Sequence, residues 1–215
     1  MAGLAPRMTS PARLIVVASQ KGGAGKTTLA RNLAVAAGEA VALLDLDPQG
    51  SLTAWWNRRG RETPALATAR PAELPKLLAR LGAAGIELVI ADTPPAAAAW
   101  LGEVLRLADL ALVPARPSPD DLDAVGATLE LLEAADCPFV FVVAQAKPRT
   151  RLALEAVPAL AQHGRVAPVV VHDRVAFAEA ALAGLGVTEH DPDGPAATEI
   201  RALLTYLRKH LRKRG

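Results

Sequence analysis

Ten consecutive residues, SQKGGAGKTT from Ser19 to Thr28, hold most of the chemistry that this 215-residue chain displays. Three glycines, Gly22, Gly23 and Gly25, permit backbone angles and close approaches that a side chain forbids. With Ala24 they form a loop whose N–H groups can surround an anion. Lys26 follows at the position that reaches β- and γ-phosphates, the Thr27 hydroxyl can ligate Mg²⁺, and Thr28 is placed for an α-phosphate. The stretch departs from the usual GxxxxGK[ST] pattern in one way: Gln20 occupies the first glycine position, and an extra lysine, Lys21, follows it. Two acidic positions complete the set. ELVIADTPP closes an apolar strand with Asp92, suited to holding magnesium through water, and VALLDLDPQG closes another with Asp45 and Asp47. Thr27, Asp45 and Asp92 are thus the candidates on the metal side.

These residues need a scaffold that brings three strand ends together. RLIVVAS, AVALLDLD, ELVIADTP, LALVPAR, PFVFVVAQ and VAPVVVHD read as strands, several apolar throughout, as expected where both sheet faces are covered. Between them TTLARNLAVAAG, AELPKLLARLGAAG, DDLDAVGATLELLEAA and TRLALEAVPALAQHG have helical spacing. The alternation predicts an α/β fold: a doubly wound, mostly parallel twisted sheet with helices on both faces and its ligand beyond the carboxyl strand ends. Residues 1–12 are expected to be a loose tail, and 13–215 a single domain ending in a basic amphipathic helix.

Composition narrows the alternatives. Hydrophobic residues make up 51% and aromatics 3%, so the core is aliphatic. No apolar run reaches the ~18 residues of a membrane span and the first residues lack the apolar centre of a secretory signal, so a cytoplasmic protein is expected. The single cysteine, Cys137, excludes an internal disulfide and a four-cysteine cluster within one subunit, and suits a small buried position. Charge is uneven: residues 1–200 hold 18 basic and 22 acidic residues, whereas RALLTYLRKHLRKRG, the last fifteen, holds six basic residues and no acid. Within that ending Ile200, Leu203, Leu204, Leu207 and Leu211 form one helical face, with Arg201, Arg208, Lys209, Arg212, Lys213 and Arg214 around it. A basic helix of this kind favours a polyanion, DNA or an anionic membrane.

The series KGGAGKTT, DLDPQGSLTAWW and IADTPP resembles the deviant Walker A, A′ and B motifs of the ParA/MinD family of P-loop ATPases. HDRVAFAEAALAGLGV and AATEIRALL are similar to the small ParA subgroup, and the resemblance covers nearly the whole chain. It implies ATP and Mg²⁺ as cofactors and an ATP-sandwich homodimer in which Lys21 crosses to the phosphates bound by the other subunit. The aspartate matching Asp45 would serve the attacking water, and that matching Asp92 would support the metal. Family members often read adenine with an asparagine after the strand matching FVFVVAQ; Gln145 is the nearest candidate here. The resemblance further implies non-specific, nucleoid-associated DNA binding, with Arg174, Arg201, Arg208, Lys209, Arg212 and Lys213 as candidate contacts. A ParB-like or other small partner would activate hydrolysis for partition or positioning of a plasmid, chromosome or protein cargo. A MinD-like membrane-associated or regulatory nucleotide switch is the alternative. Cluster-bearing nitrogenase iron protein relatives are excluded by the cysteine count, and the bacterial tyrosine kinases by the lone Tyr206.

Overall fold

The computed structural model describes residues 10–95 and 100–211. In chain order the elements are β1 (Arg13–Val17), α1 (Lys26–Ala37), β2 (Val41–Asp45), α2 (Ser51–Arg59), β3 (Ala65–Ala67), α3 (Leu74–Ala83), β4 (Leu88–Asp92), α4 (Leu101–Leu107) and β5 (Leu110–Ala115). There follow α5 (Pro119–Asp123), α6 (Val125–Ala134), β6 (Phe139–Ala146), α7 (Arg151–Ala161), β7 (Val171–His172), α8 (Val175–Leu182), α9 (Val187–His190) and α10 (Pro195–His210).

Seven parallel strands lie in the order β3-β2-β4-β1-β5-β6-β7. The alternation of side chains along each strand explains the continuous apolar runs. In β1, Leu14 and Val16 enter one core, while Ile15 and Val17 enter the other. The first core meets α3, α4, α6 and α7; the second meets α1, α2 and α8–α10. Cys137 is buried in the first, just before β6.

The order places β1 at the centre, between β4 and β5, where the winding direction reverses and a crevice opens at the carboxyl ends. Register does the rest: Val17 and Asp45 both lie opposite Asp92, on either side of β4. Loop, Asp45 and Asp92 therefore share one edge.

Several expectations change in detail. The helix expected over residues 120–135 is divided into α5 and α6, and the strand expected over 166–173 narrows to β7, with Val166 making only an isolated bridge to Phe141. The terminal helix begins at Pro195, where proline's fixed φ suits a first turn. The tail expected over 1–12 is anchored at its end: Ala12 is buried and its N–H donates to Leu78 O at 3.0 Å. Residues 1–9 lie outside the described residues.

Candidate functional site

The phosphate loop leaves β1 at Ser19 and becomes α1 at Lys26. Gly25 makes that junction at φ 91°, in the left-handed region that other residues enter only at a cost. The N-terminus of α1 and the loop amides therefore face the same space, bounded by residues 22–28, Asp47, Pro95 and Gln145.

Lys26 is 7% exposed, and its Nζ donates to Ser19 O and Lys21 O, each at 3.0 Å. Burial lowers its pKa from the ordinary lysine value, while the nearby Asp92 and Asp47 oppose that shift. The loop thus fixes a cation in place before any phosphate arrives. Gln20 uses its side chain to anchor the loop: Nε2 donates to Ala127 O at 2.7 Å, and its backbone N–H donates to Thr128 Oγ1 at 3.3 Å. The residue that breaks the glycine pattern ties the loop to α6. Lys21, next along, is half-buried on the side of Asp121, whose carboxyl it helps hold in the charged form.

Asp92 is fully buried at the end of β4, and Oδ2 accepts a 2.5 Å hydrogen bond from Thr27 Oγ1. Burial pushes its pKa up to about 7; the Thr27 bond and Lys26 oppose the rise, and Asp45 and Asp47 add to it. Its other oxygen, Oδ1, is buried with no hydrogen-bond partner. A carboxylate with one oxygen on the loop threonine and the other uncommitted fits a magnesium ion held with the help of nucleotide phosphates. Such ions use one or two carboxylates rather than a full protein cage. No group of three or more His, Cys, Asp or Glu side chains forms a metal cage among the described residues.

Asp45 is held from both sides. Its Oδ2 accepts from Thr53 N at 2.8 Å and Thr53 Oγ1 at 2.6 Å, and its Oδ1 accepts from Asp47 N at 3.2 Å. Thr53, in the first turn of α2, thus orients the carboxylate, a role that periodicity does not reveal. Arg116 also went unforeseen; its Nη1 lies over Gly23 while its Nε donates to Asp121 at 3.0 Å.

The model of the CobQ/CobB/MinD/ParA nucleotide binding domain matches residues 15–187. The chain belongs to this family. Among curated relatives of the ParA/MinD family, the chain is 32% identical to the chromosome-partitioning ATPase Soj of Thermus thermophilus, over 89% of this chain and 93% of that one. It is 45% identical to the maintenance of carboxysome distribution protein A of Gloeobacter kilaueensis over about half of each chain, 51% here and 52% there. The septum site-determining protein MinD of Pyrococcus horikoshii, solved with Mg-ADP, superposes with a TM-score of 0.73 at 17% identity, covering 92% of this chain and 96% of that one. These relatives make the chain a ParA/MinD-type P-loop protein with a seven-stranded parallel sheet.

Within that family frame the remaining candidates divide. Gln145 sits at a bulge in β6 with φ 54°, and its Nε2 donates to Gly23 O at 2.7 Å, so adenine recognition by this amide requires it to leave the loop. Arg174 is paired with Glu199 at 2.6 Å, which already compensates its charge. Ile200, Leu203, Leu204 and Leu207 are buried against the second core. Arg201, Arg208 and Lys209 are exposed on α10, with Arg201 donating to Pro192 O and Arg208 to Ala37 O. Arg212 and Lys213 lie outside the described residues. Among the described residues no helix is long and apolar enough to cross a membrane.

Proposed function

We propose that the chain is a ParA-like ATPase: it binds ATP with Mg²⁺, forms an ATP-sandwich homodimer, binds DNA non-specifically and hydrolyses ATP slowly until a partner protein stimulates it. Cycling between the DNA-bound dimer and the free monomer would segregate or position a plasmid, chromosome or protein cargo. The observation that carries this reading is the joint placement of Lys26, Thr27 and Asp92 at one sheet edge, with Asp45 one strand away.

Each residue then has a task. The loop amides and Lys26 hold the phosphates, and Thr27 and Asp92 would hold the metal, which would supply charge stabilisation to the transferring phosphoryl group. Asp45, oriented by Thr53, serves the attacking water. Lys21 acts across the dimer, where a lysine from each subunit offsets the repulsion between facing triphosphates. On α10 the exposed Arg201, Arg208 and Lys209 supply phosphate contacts, doubled on dimerisation. Four buried apolar residues favour DNA over the membrane alternative. Ile200, Leu203, Leu204 and Leu207 are committed to the second core, so among the described residues α10 turns its charged rather than its apolar face outward.

Two variants test the scheme together. Lys21→Ala is expected to retain monomeric ATP binding but lose ATP-dependent dimerisation and, with it, tight DNA binding. Changing Arg208, Lys209, Arg212 and Lys213 together to Ala is expected to keep the ATP dimer and lose the DNA. Light scattering with a slowly hydrolysed ATP analogue, paired with a DNA shift assay at two salt concentrations, reads both. Dimerisation of the Lys21 variant with ATP would remove the in-trans role, and salt-insensitive DNA binding would remove the phosphate contacts.

A further inference from the structure

We propose that Arg31 binds the nucleotide directly, meeting its α-phosphate beside Thr28, as a cation supplied by the second turn of α1. The inference rests on the phosphate-loop reading and adds a contact that the loop motif does not contain. Helical side chains lean toward the N-terminus, so Arg31 points back along α1 to the end where phosphates gather. Its Nη2 reaches Thr28 Oγ1 at 3.5 Å and Phe177 O at 3.4 Å, both at the outer limit of a hydrogen bond. Its Nε is buried without a hydrogen-bond partner.

A guanidinium has five donors, and a buried one is ordinarily matched to a carboxylate or several carbonyls. Among the described residues Arg31 forms no ion pair. Burial lowers its pKa from the ordinary arginine value, the nearby Arg58 lowers it further, and Asp92 opposes both. The protein therefore keeps a partly desolvated cation whose hydrogen bonding its own atoms leave incomplete. Arg31 lines a cleft of about 310 Å³ that begins at Gly25 and Thr28, next to the phosphate loop, and runs to Phe177 on α8. The other arginine of that cleft, Arg174, is already spent on Glu199. An anionic oxygen next to the Thr28 hydroxyl would supply what Arg31 lacks, and on a nucleotide threaded from the loop into this cleft that oxygen belongs to the α-phosphate.

The test measures ADP and ATP affinity with Mg²⁺, and the melting temperature without nucleotide, for the parent, Arg31→Met, Arg31→Lys and Lys26→Ala. Arg31→Met is expected to weaken ADP and ATP by the same factor, about 10- to 100-fold, because both carry the α-phosphate. Its ligand-free melting temperature should hold or rise, since an incompletely paired cation has been removed. Arg31→Lys should fall between the two in affinity, and carries the test alone if the Met variant does not fold. Affinity within about threefold of the parent in the folded variants overturns the proposal, as does weakening of ATP alone, which would place the contact on the γ-phosphate. Loss of melting temperature together with affinity makes Arg31 a packing residue and also overturns it. If the parent binds ADP and ATP no better than Lys26→Ala, the phosphate-loop reading itself fails.

Discussion

Asp92 makes the ligand-free protein sensitive to pH in a direction opposite to that of most carboxylates. Its folded-state pKa is raised to about 7 from an ordinary 3.8, so the native state holds a proton that the unfolded chain releases. The stabilisation from that proton is fully present below about pH 4 and disappears as pH rises through 7; the whole span is about 4 kcal/mol. Between pH 5.5 and 8 the same linkage gives about 2 kcal/mol. The groups facing Asp92 are Thr27, Lys26, Asp45 and Asp47. Lys26 limits the effect, because ionising Asp92 creates an attraction to a buried cation while it removes a proton. Asp92→Asn keeps the shape and an acceptor for Thr27 but cannot titrate. Urea unfolding with EDTA and no nucleotide, at pH 5.5 and pH 8, should therefore show the parent losing about 2 kcal/mol more than the variant. Because the proposed function gives the same oxygens to the metal, Asp92→Asn should also lose most of the magnesium dependence of ATP binding. Identical pH dependence in parent and variant would refute the burial argument, and unchanged magnesium dependence would refute the metal role.

Two further outcomes follow from the same geometry. Lys26→Ala should weaken ATP binding at least about tenfold, since a charge-assisted contact to the β- and γ-phosphates is lost; titration calorimetry finding affinity within about threefold of the parent would contradict the loop assignment. Asp45→Ala should leave ATP affinity and the ATP dimer nearly unchanged while turnover falls about 10²- to 10⁴-fold, with about 1 kcal/mol of stability lost because Thr53 N–H and Oγ1 lose their acceptor; loss of ATP binding with hydrolysis per bound ATP unchanged would make Asp45 structural.

The parts of this molecule that were legible in the sequence are those governed by local rules. Apolar runs such as RLIVV and FVFVV require a strand covered on both faces, and the GKTT sequence at a strand-to-helix junction requires a phosphate loop. Even the docking face of α10 follows from its spacing, with Ile200, Leu203, Leu204 and Leu207 all buried. What stayed hidden depends on contacts between residues far apart in the chain. Gln20 looked like an irregularity in a motif until its partners, Ala127 and Thr128, came from α6 more than a hundred residues away. Arg174 is a DNA-contact candidate by resemblance, and nothing local in the sequence reveals that Glu199, 25 residues on in α10, pairs with it. The short α8 and α9 carry little periodicity of their own; they are fixed from outside, by Asn32 Oδ1 accepting from Val187 N at 2.7 Å and by Arg59 spanning to Gly184 O and Glu189.

That last pair of ties connects both ends of the site to one segment. Asn32 stands on α1, the helix that begins with Lys26 and Thr27, and its Nδ2 also donates to Thr28 O at 2.8 Å. Arg59 ends α2, the helix whose first turn carries Thr53 and so orients Asp45. Both reach the α8–α9 segment, which in turn packs on α10 and its exposed basic residues. The half-buried carboxylate of Glu189 accepts from Arg59 on one side and from the Gly186 N–H on the other, which ties the end of α2 to the α8–α9 segment. Asn32 and Arg59 thus join the helix that carries Lys26 and Thr27, and the helix whose first turn orients Asp45, to one segment on which α10 packs.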